Sequence, residues 1–197
     1  MKISRKVFLT AAASLCFMAS AQAQAMKEIN FGIISTDSST ALKSMWQPFM
    51  DDMAKATGMK INGFFATDYT GIIEGMRFGK VHLAWHGNKS AIEAVDRAGG
   101  EVFAQFIDLD GRPGYYSYVI THRDSPLKTI DDMIANGKTL SFGLGDPQST
   151  SGTLVPTYYV FSQRKLDPKN VFRVTRSANH GTNLLAVLNK QVDVATN

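Results

Sequence analysis

The ten residues Gly143-Leu144-Gly145-Asp146-Pro147-Gln148-Ser149-Thr150-Ser151-Gly152 hold the densest set of groups able to do chemistry in this chain. They follow an apolar run and open a helical pattern. Three consecutive hydroxyls and a glycine at a helix start gather O–H donors and unpaired backbone N–H groups. The helix dipole adds positive potential there, so the position suits a tetrahedral, phosphate-like anion and needs no lysine. The competing reading is a capped helix behind a Ser/Thr-rich turn. A nucleotide P-loop is excluded, because no Gly-Lys-Ser/Thr follows the glycines. Gly87-Asn88-Lys89-Ser90 lacks the adjacent Gly-Lys as well and reads as a strand-to-helix turn.

Other candidates stand alone in the sequence. His180, within Ser177-Ala178-Asn179-His180-Gly181-Thr182-Asn183, lies between a predicted strand and a predicted helix. Either ring nitrogen could donate to an anion there, or the residue is a surface turn histidine. Tyr69 opens a helical pattern after Thr67-Asp68, and Tyr115 and Tyr116 follow the turn Arg112-Pro113-Gly114. At such places a tyrosine can present a ring and a hydroxyl to a cleft, or simply pack half-buried. His82 and His86 lie on a predicted strand about 13 Å apart, too far to share a metal. With no H-E-x-x-H or similar ligand set, no metal site is expected. Ser151 is not in a G-x-S-x-G elbow. The neighbouring carboxylates of Asp51-Asp52 and Asp131-Asp132 point apart on helices. No catalytic residue and no cofactor are expected.

The elements that must position these residues alternate between strand and helix. Apolar runs predict strands over 29–35, 60–66, 81–85, 102–107 and 116–121. Between them, helical spacing (Leu42, Met45, Trp46, Phe49, Met50, Met53) and its counterparts predict helices up to Gly58, over 69–78 and over 89–98. After Asp124-Ser125-Pro126 the rhythm restarts, with helices over 130–135, 151–163 and 183–189 and strands over 140–143, 171–175 and 192–195. Repeated β-α-β units imply a largely parallel sheet covered by helices on both faces. The break near 120–126 is read as a hinge between two lobes.

The chain has 197 residues, 44% hydrophobic and 19% charged, an ordinary globular composition. Its net charge of +4 comes from 21 basic and 17 acidic residues, and Lys2, Arg5 and Lys6 account for most of the excess. No basic stripe remains on the body, so no nucleic-acid partner is expected. The basic start, the apolar stretch over 7–19 and the A-x-A sites that end at Ala23 and Ala25 have the layout of a cleavable secretory signal peptide, with cleavage after either alanine. Cys16, the only cysteine, would leave with it. Export and a cysteine-free body point to a bacterial periplasmic protein. Residues 192–197 read as a buried strand running into a loop, so the chain is expected to be truncated at its C-terminus.

Together, several segments carry a family resemblance. They are Asn30-Phe31-Gly32-Ile33-Ile34-Ser35-Thr36, Asp68-Tyr69 with Gly71-Ile72-Ile73, Gly75-Met76-Arg77-Phe78, and Glu93-Ala94-Val95-Asp96-Arg97-Ala98. Pro113-Gly114-Tyr115, Gly145-Asp146-Pro147 with Ser149-Thr150-Ser151-Gly152, and Lys190-Gln191-Val192-Asp193-Val194-Ala195-Thr196-Asn197 belong with them. The chain closely resembles the periplasmic phosphonate-binding proteins of phosphonate ABC importers, from about residue 29 to its end. The resemblance implies an α/β, type II periplasmic binding-protein fold, two lobes that close on ligand about a hinge. The domains are then a signal peptide over 1–25, a first lobe over 26–120 and an incomplete second lobe over 121–197. By the same resemblance, Ser149, Thr150, Ser151 and His180 are phosphonate-oxygen donors, and Tyr69 and Tyr115 are cleft residues. The implied function is a non-enzymatic receptor for organophosphonates such as 2-aminoethylphosphonate, with an ABC permease in the inner membrane as partner. A receptor for phosphite, phosphate or another oxyanion is the alternative, and a periplasmic phosphate-ester enzyme a weaker one. The family often has Tyr at the position of His86 and an acidic residue at that of Gly181. Its acidic residues for the ligand amine lie beyond the position matching Asn197.

Overall fold

The computed structural model describes residues 26–197. The expected signal peptide and Cys16 lie outside the described residues.

Two sheets organise the chain. In the first, β1 (Glu28–Ile33) is central and pairs in parallel with β2 (Lys60–Phe65) and β3 (Leu83–Trp85). Ser38 caps α1 (Ser39–Thr57) by accepting from the Ala41 amide, and Gly58 ends it with a left-handed φ of 67° that suits a residue without Cβ. The inner face of α1 buries Leu42 and Met50 against Phe31 and Ile33, with Trp46 and Trp85 alongside. Asp68 accepts from the Gly71 amide to cap α2 (Tyr69–Arg77), which buries Ile72 and Tyr69 against Ile34. Helix α3 (Asn88–Ala98) follows β3 directly.

The second sheet has the order β4-β7-β5-β6. Strands β5 (Ser141–Leu144), β6 (Val174–Ser177) and β7 (Val194–Thr196) are parallel, and β4 (Val119–Thr121) runs antiparallel to β7. Its core is Phe142, stacked on Phe172 at 4.2 Å and edge-on to Phe161 at 5.5 Å, with Met133 of α4 (Ile130–Ala135) and Val194. The short α5 (Pro168–Val171) precedes β6, and α6 (His180–Leu188) precedes β7.

Three sequence expectations are corrected. Residues 102–107 form no strand; Ile107 makes only an isolated bridge to Pro113, and Phe103 and Phe106 are exposed. An apolar run marks a segment that prefers a sheet, but a strand also needs a neighbour to pair with. The strand expected over 116–121 is confined to Val119–Thr121. The helix expected over 151–163 is wound as two wide, π-type turns, Thr150–Leu154 and Thr157–Phe161. Pro156 stands between them and has no amide to give to the normal ladder.

Among the described residues, no helix is long and apolar enough to cross a membrane, and no group of three or more His, Cys, Asp or Glu is placed to hold a metal.

Phe142 is fully buried between two rings. Phe142→Ala is expected to cost about 3–5 kcal/mol, read as a drop in the urea midpoint of the second lobe; an unchanged midpoint would contradict a core centred on this ring.

Candidate functional site

The parallel strands of both sheets deliver their helices at strand carboxyl ends, and those ends meet between the lobes. The segment after β5 is the centre of the meeting. The Gly145 amide donates to Gly152 O at 2.8 Å, so the chain from 145 to 152 closes on itself. A Cβ on Gly145 would lie 2.5 Å from Gly152 Cα, so the two backbones can pass only because both residues are glycine. Thr196 of β7 pins this closure from below. Its fully buried hydroxyl accepts from the Gly145 amide at 3.1 Å and donates to Gly152 O at 2.5 Å. Ser177 of β6 donates to Gly145 O at 2.6 Å.

The closed loop holds Ser149 at 2% exposure, where its Oγ accepts from the Gly152 amide at 3.0 Å and lies 3.2 Å from His180 Nε2. His180 is the first residue of α6, whose cap Asn179 accepts from the Thr182 amide. Burial pushes the His180 pKa down, opposed by Asn197 and the Asp146 charge, so the ring is neutral at neutral pH. Its Nδ1 is buried with no protein partner. Tyr69 is almost fully buried at the start of α2, where its amide donates to Asp146 of the same loop. Burial raises the Tyr69 phenol above its ordinary pKa, so it stays an O–H donor.

Thr150 accepts the Lys89 amide at the start of α3 through its Oγ1 at 2.9 Å, which leaves its own proton free to donate. Tyr115 is half-exposed, yet its hydroxyl comes within 3.5 Å of where a Gly87 Cβ would stand, and Thr150 Oγ1 within 3.3 Å of the same point. Ser151 is held by its carbonyl, which accepts from Ser117 Oγ at 2.6 Å. The structure thus gathers Tyr69, Ser149 and His180 on one side and Tyr115 and Thr150 on the other, with Ser151 next in the chain.

Residues that the sequence did not single out complete the seam. Asp146 accepts from the Tyr69 amide at 3.2 Å, and Lys89 Nζ donates to Pro147 O and Gln148 Oε1 at 2.8 and 2.7 Å. The Gly181 amide donates to Thr36 O at 3.1 Å. Ser35, beside Thr36, has a buried hydroxyl with no protein partner, as His180 beside Gly181 has an unpartnered Nδ1. An Asp-Pro pair directly after a glycine, and a lysine directly after a strand-to-helix turn, were the available signals for Asp146 and Lys89.

His86 and Gly181 sit at the margin of this seam. A Cβ on Gly181 would fall 2.6 Å from the Asp37 carboxylate. His86 is hydrogen-bonded to Ser90 Oγ and lies 3.3 Å from Met76 Sδ. Burial pushes its pKa down from 6.5 to about 4.

Comparison with known proteins places the chain. A family described as "ABC transporter, phosphonate, periplasmic substrate-binding protein" matches residues 31–197. The chain is 58% identical over 171 residues to the phosphonates-binding periplasmic protein of Escherichia coli (strain K12), covering 87% of this chain and 50% of that one. It is 32% identical over 174 residues to a phosphate-import protein of Mycolicibacterium smegmatis, covering 84% and 53% respectively. Among solved structures, the binding protein component of an ABC phosphonate transporter from Pseudomonas aeruginosa superposes with a TM-score of 0.84 at 57% identity, covering 87% of this chain and 57% of that one. A Prochlorococcus marinus protein solved in complex with methylphosphonate superposes at 0.72 with 19% identity, covering 86% and 63%, a likeness of fold. The chain spans about half the length of the curated relatives it matches.

Two outcomes follow from the site's construction. Gly145→Ala is expected to destabilise the protein by about 1–3 kcal/mol, because backbone rather than a side-chain tip must move; a midpoint equal to wild type in urea would refute the close approach. The neutral His86 adds stability that is complete above pH 6.5 and lost as pH falls toward 4. His86→Tyr should therefore remove about 2 kcal/mol of the loss measured between pH 7 and 4.5; equal losses in both proteins would show that His86 is not the responsible group.

Proposed function

We propose a function from one premise: the chain belongs to the periplasmic phosphonate substrate-binding family of ABC transporters. It acts as a solute receptor, not an enzyme. It binds an organophosphonate such as 2-aminoethylphosphonate and delivers it to the inner-membrane permease of an ABC importer. Export through a cleaved segment over 1–25 belongs to the same proposal. So does the division into a first lobe over 26–120 and a second over 121–197, with Val119 and Ile120 at the boundary already paired into the second sheet.

The observation that carries this reading is the convergence of neutral donors at one seam. Ser149 and Thr150 lie on the second lobe with His180, and the start of α2 brings Tyr69 to the same loop from the first, its amide bonded to Asp146. Ser149 and His180 act as a pair: a ring N–H given to Ser149 Oγ leaves the serine proton for a ligand oxygen, and the other tautomer, accepting from Ser149, leaves the Nδ1 proton for it. Neutral donors can surround an oxyanion without neutralising it, and exclusion of water makes each bond stronger. Ser151 and Tyr115 complete the set as head-group and rim residues. The ammonium of Lys89 is turned to Pro147 and Gln148, so the head group is held by hydrogen bonds.

Calorimetric titration with 2-aminoethylphosphonate, methylphosphonate, phosphite and phosphate tests the proposal. A phosphonate should bind tightest, and Ser149→Ala or His180→Ala should weaken it at least tenfold, as expected for one hydrogen bond to a charged group at about 1.5–3 kcal/mol. Preference for phosphite or phosphate would move the function to inorganic oxyanion uptake. A folded sample that binds none of the four would overturn it.

A further inference from the structure

Two side chains reach across between the lobes in opposite directions, and neither is a proposed ligand donor. Asp146 belongs to the second lobe and is 8% exposed. Its Oδ2 accepts from the amide of Tyr69, the first residue of α2, at 3.2 Å, and its Oδ1 accepts from the Gln148 amide at 2.7 Å. The start of α2 therefore carries two carboxylates, Asp68 from its own lobe on Gly71 and Asp146 from the other lobe on Tyr69. A negative charge is favoured at a helix start, and more so out of water. Lys89 reaches the other way, from the start of α3 on the first lobe. Its Nζ donates to Pro147 O and Gln148 Oε1, and its amide donates to Thr150 Oγ1. Both residues act on the same loop, 146–150, which includes Ser149 and Thr150.

We infer that Asp146 and Lys89 form a cross-lobe latch that makes lobe closure and the setting of the 146–150 loop a single event. Both are positioning residues. Asp146 acts through the Tyr69 backbone and Lys89 through the loop carbonyl and amide. The carboxylate uses both oxygens as acceptors, one across the seam and one within its own turn. An asparagine has only one acceptor oxygen, so Asp146→Asn can keep the local bond to Gln148 and must then give up the bond to Tyr69. Lys89→Met keeps the aliphatic stem and the backbone amide and removes both Nζ bonds.

The lone cysteine permits a direct test. In a Cys16→Ser background, spin labels at Lys43→Cys on α1 and Lys169→Cys on α5 report the distance between lobes. Without ligand, the parent should give one narrow distance, and Asp146→Asn and Lys89→Met should each give a longer or broader one. Unchanged distributions in folded variants would overturn the latch. If Asp146→Asn does not fold, Lys89→Met alone decides by the same readout. A second readout rests on the phosphonate-receptor reading. For methylphosphonate, each variant should raise koff about tenfold and leave kon within twofold, whereas a partly unfolded sample would only lose binding sites. If the variants shift the distance and the parent binds no phosphonate, the latch stands and the receptor reading falls. If the parent binds and neither distance nor koff changes in the variants, the reverse holds.

Discussion

A helix begins with amide groups that have no carbonyl one turn behind them, and something outside the helix must satisfy them. In this protein the starts of α2, α3 and α6, together with the wide turn at Thr150, all meet along one seam. They meet there because the main strands of each sheet are parallel, so helices start at strand carboxyl ends, and the carboxyl ends of the two sheets face each other. The unmet amides of one lobe are answered in part by the other. Asp146 answers Tyr69, Thr150 answers Lys89, and Thr36 answers Gly181. The groups left over along the seam, the Ser35 hydroxyl and His180 Nδ1, carry no full charge.

Most of that construction is local, and the local part was legible in the sequence. The hydroxyl run at 149–151 announced a helix start rich in donors, and the helix over 69–78 was visible from its spacing. The resemblance of the motifs supplied the family, and with it His180 and the two tyrosines as members of one site. Their gathering at the seam is a matter of tertiary geometry that no periodicity encodes.

The parts that escaped the sequence are those fixed by partners far along the chain. The apolar run over 102–107 has strand character, but strand formation depends on a neighbour, and the single bridge from Ile107 to Pro113 is all the pairing it has among the described residues. The helix over 151–163 has helical spacing, but Pro156 and the contact of Gly145 with Gly152 widen its turns. Asp146 and Lys89 carried only the signature of turns, because their significance lies in atoms more than fifty residues away: 77 for Asp146 to Tyr69 and 61 for Lys89 to Thr150.

The hydroxyl of Thr196 has a consequence for the order in which the protein can assemble. It touches Gly145 and Gly152 across 51 and 44 residues of chain. Loop closure over such distances costs entropy that only long-range contacts return, so these contacts come late in folding. The donor loop therefore acquires its final shape after the second sheet has inserted β7. Until then Ser149 and its neighbours are tethered residues on an unshaped segment, and a nascent chain whose first lobe is already built still lacks the closed loop that faces it.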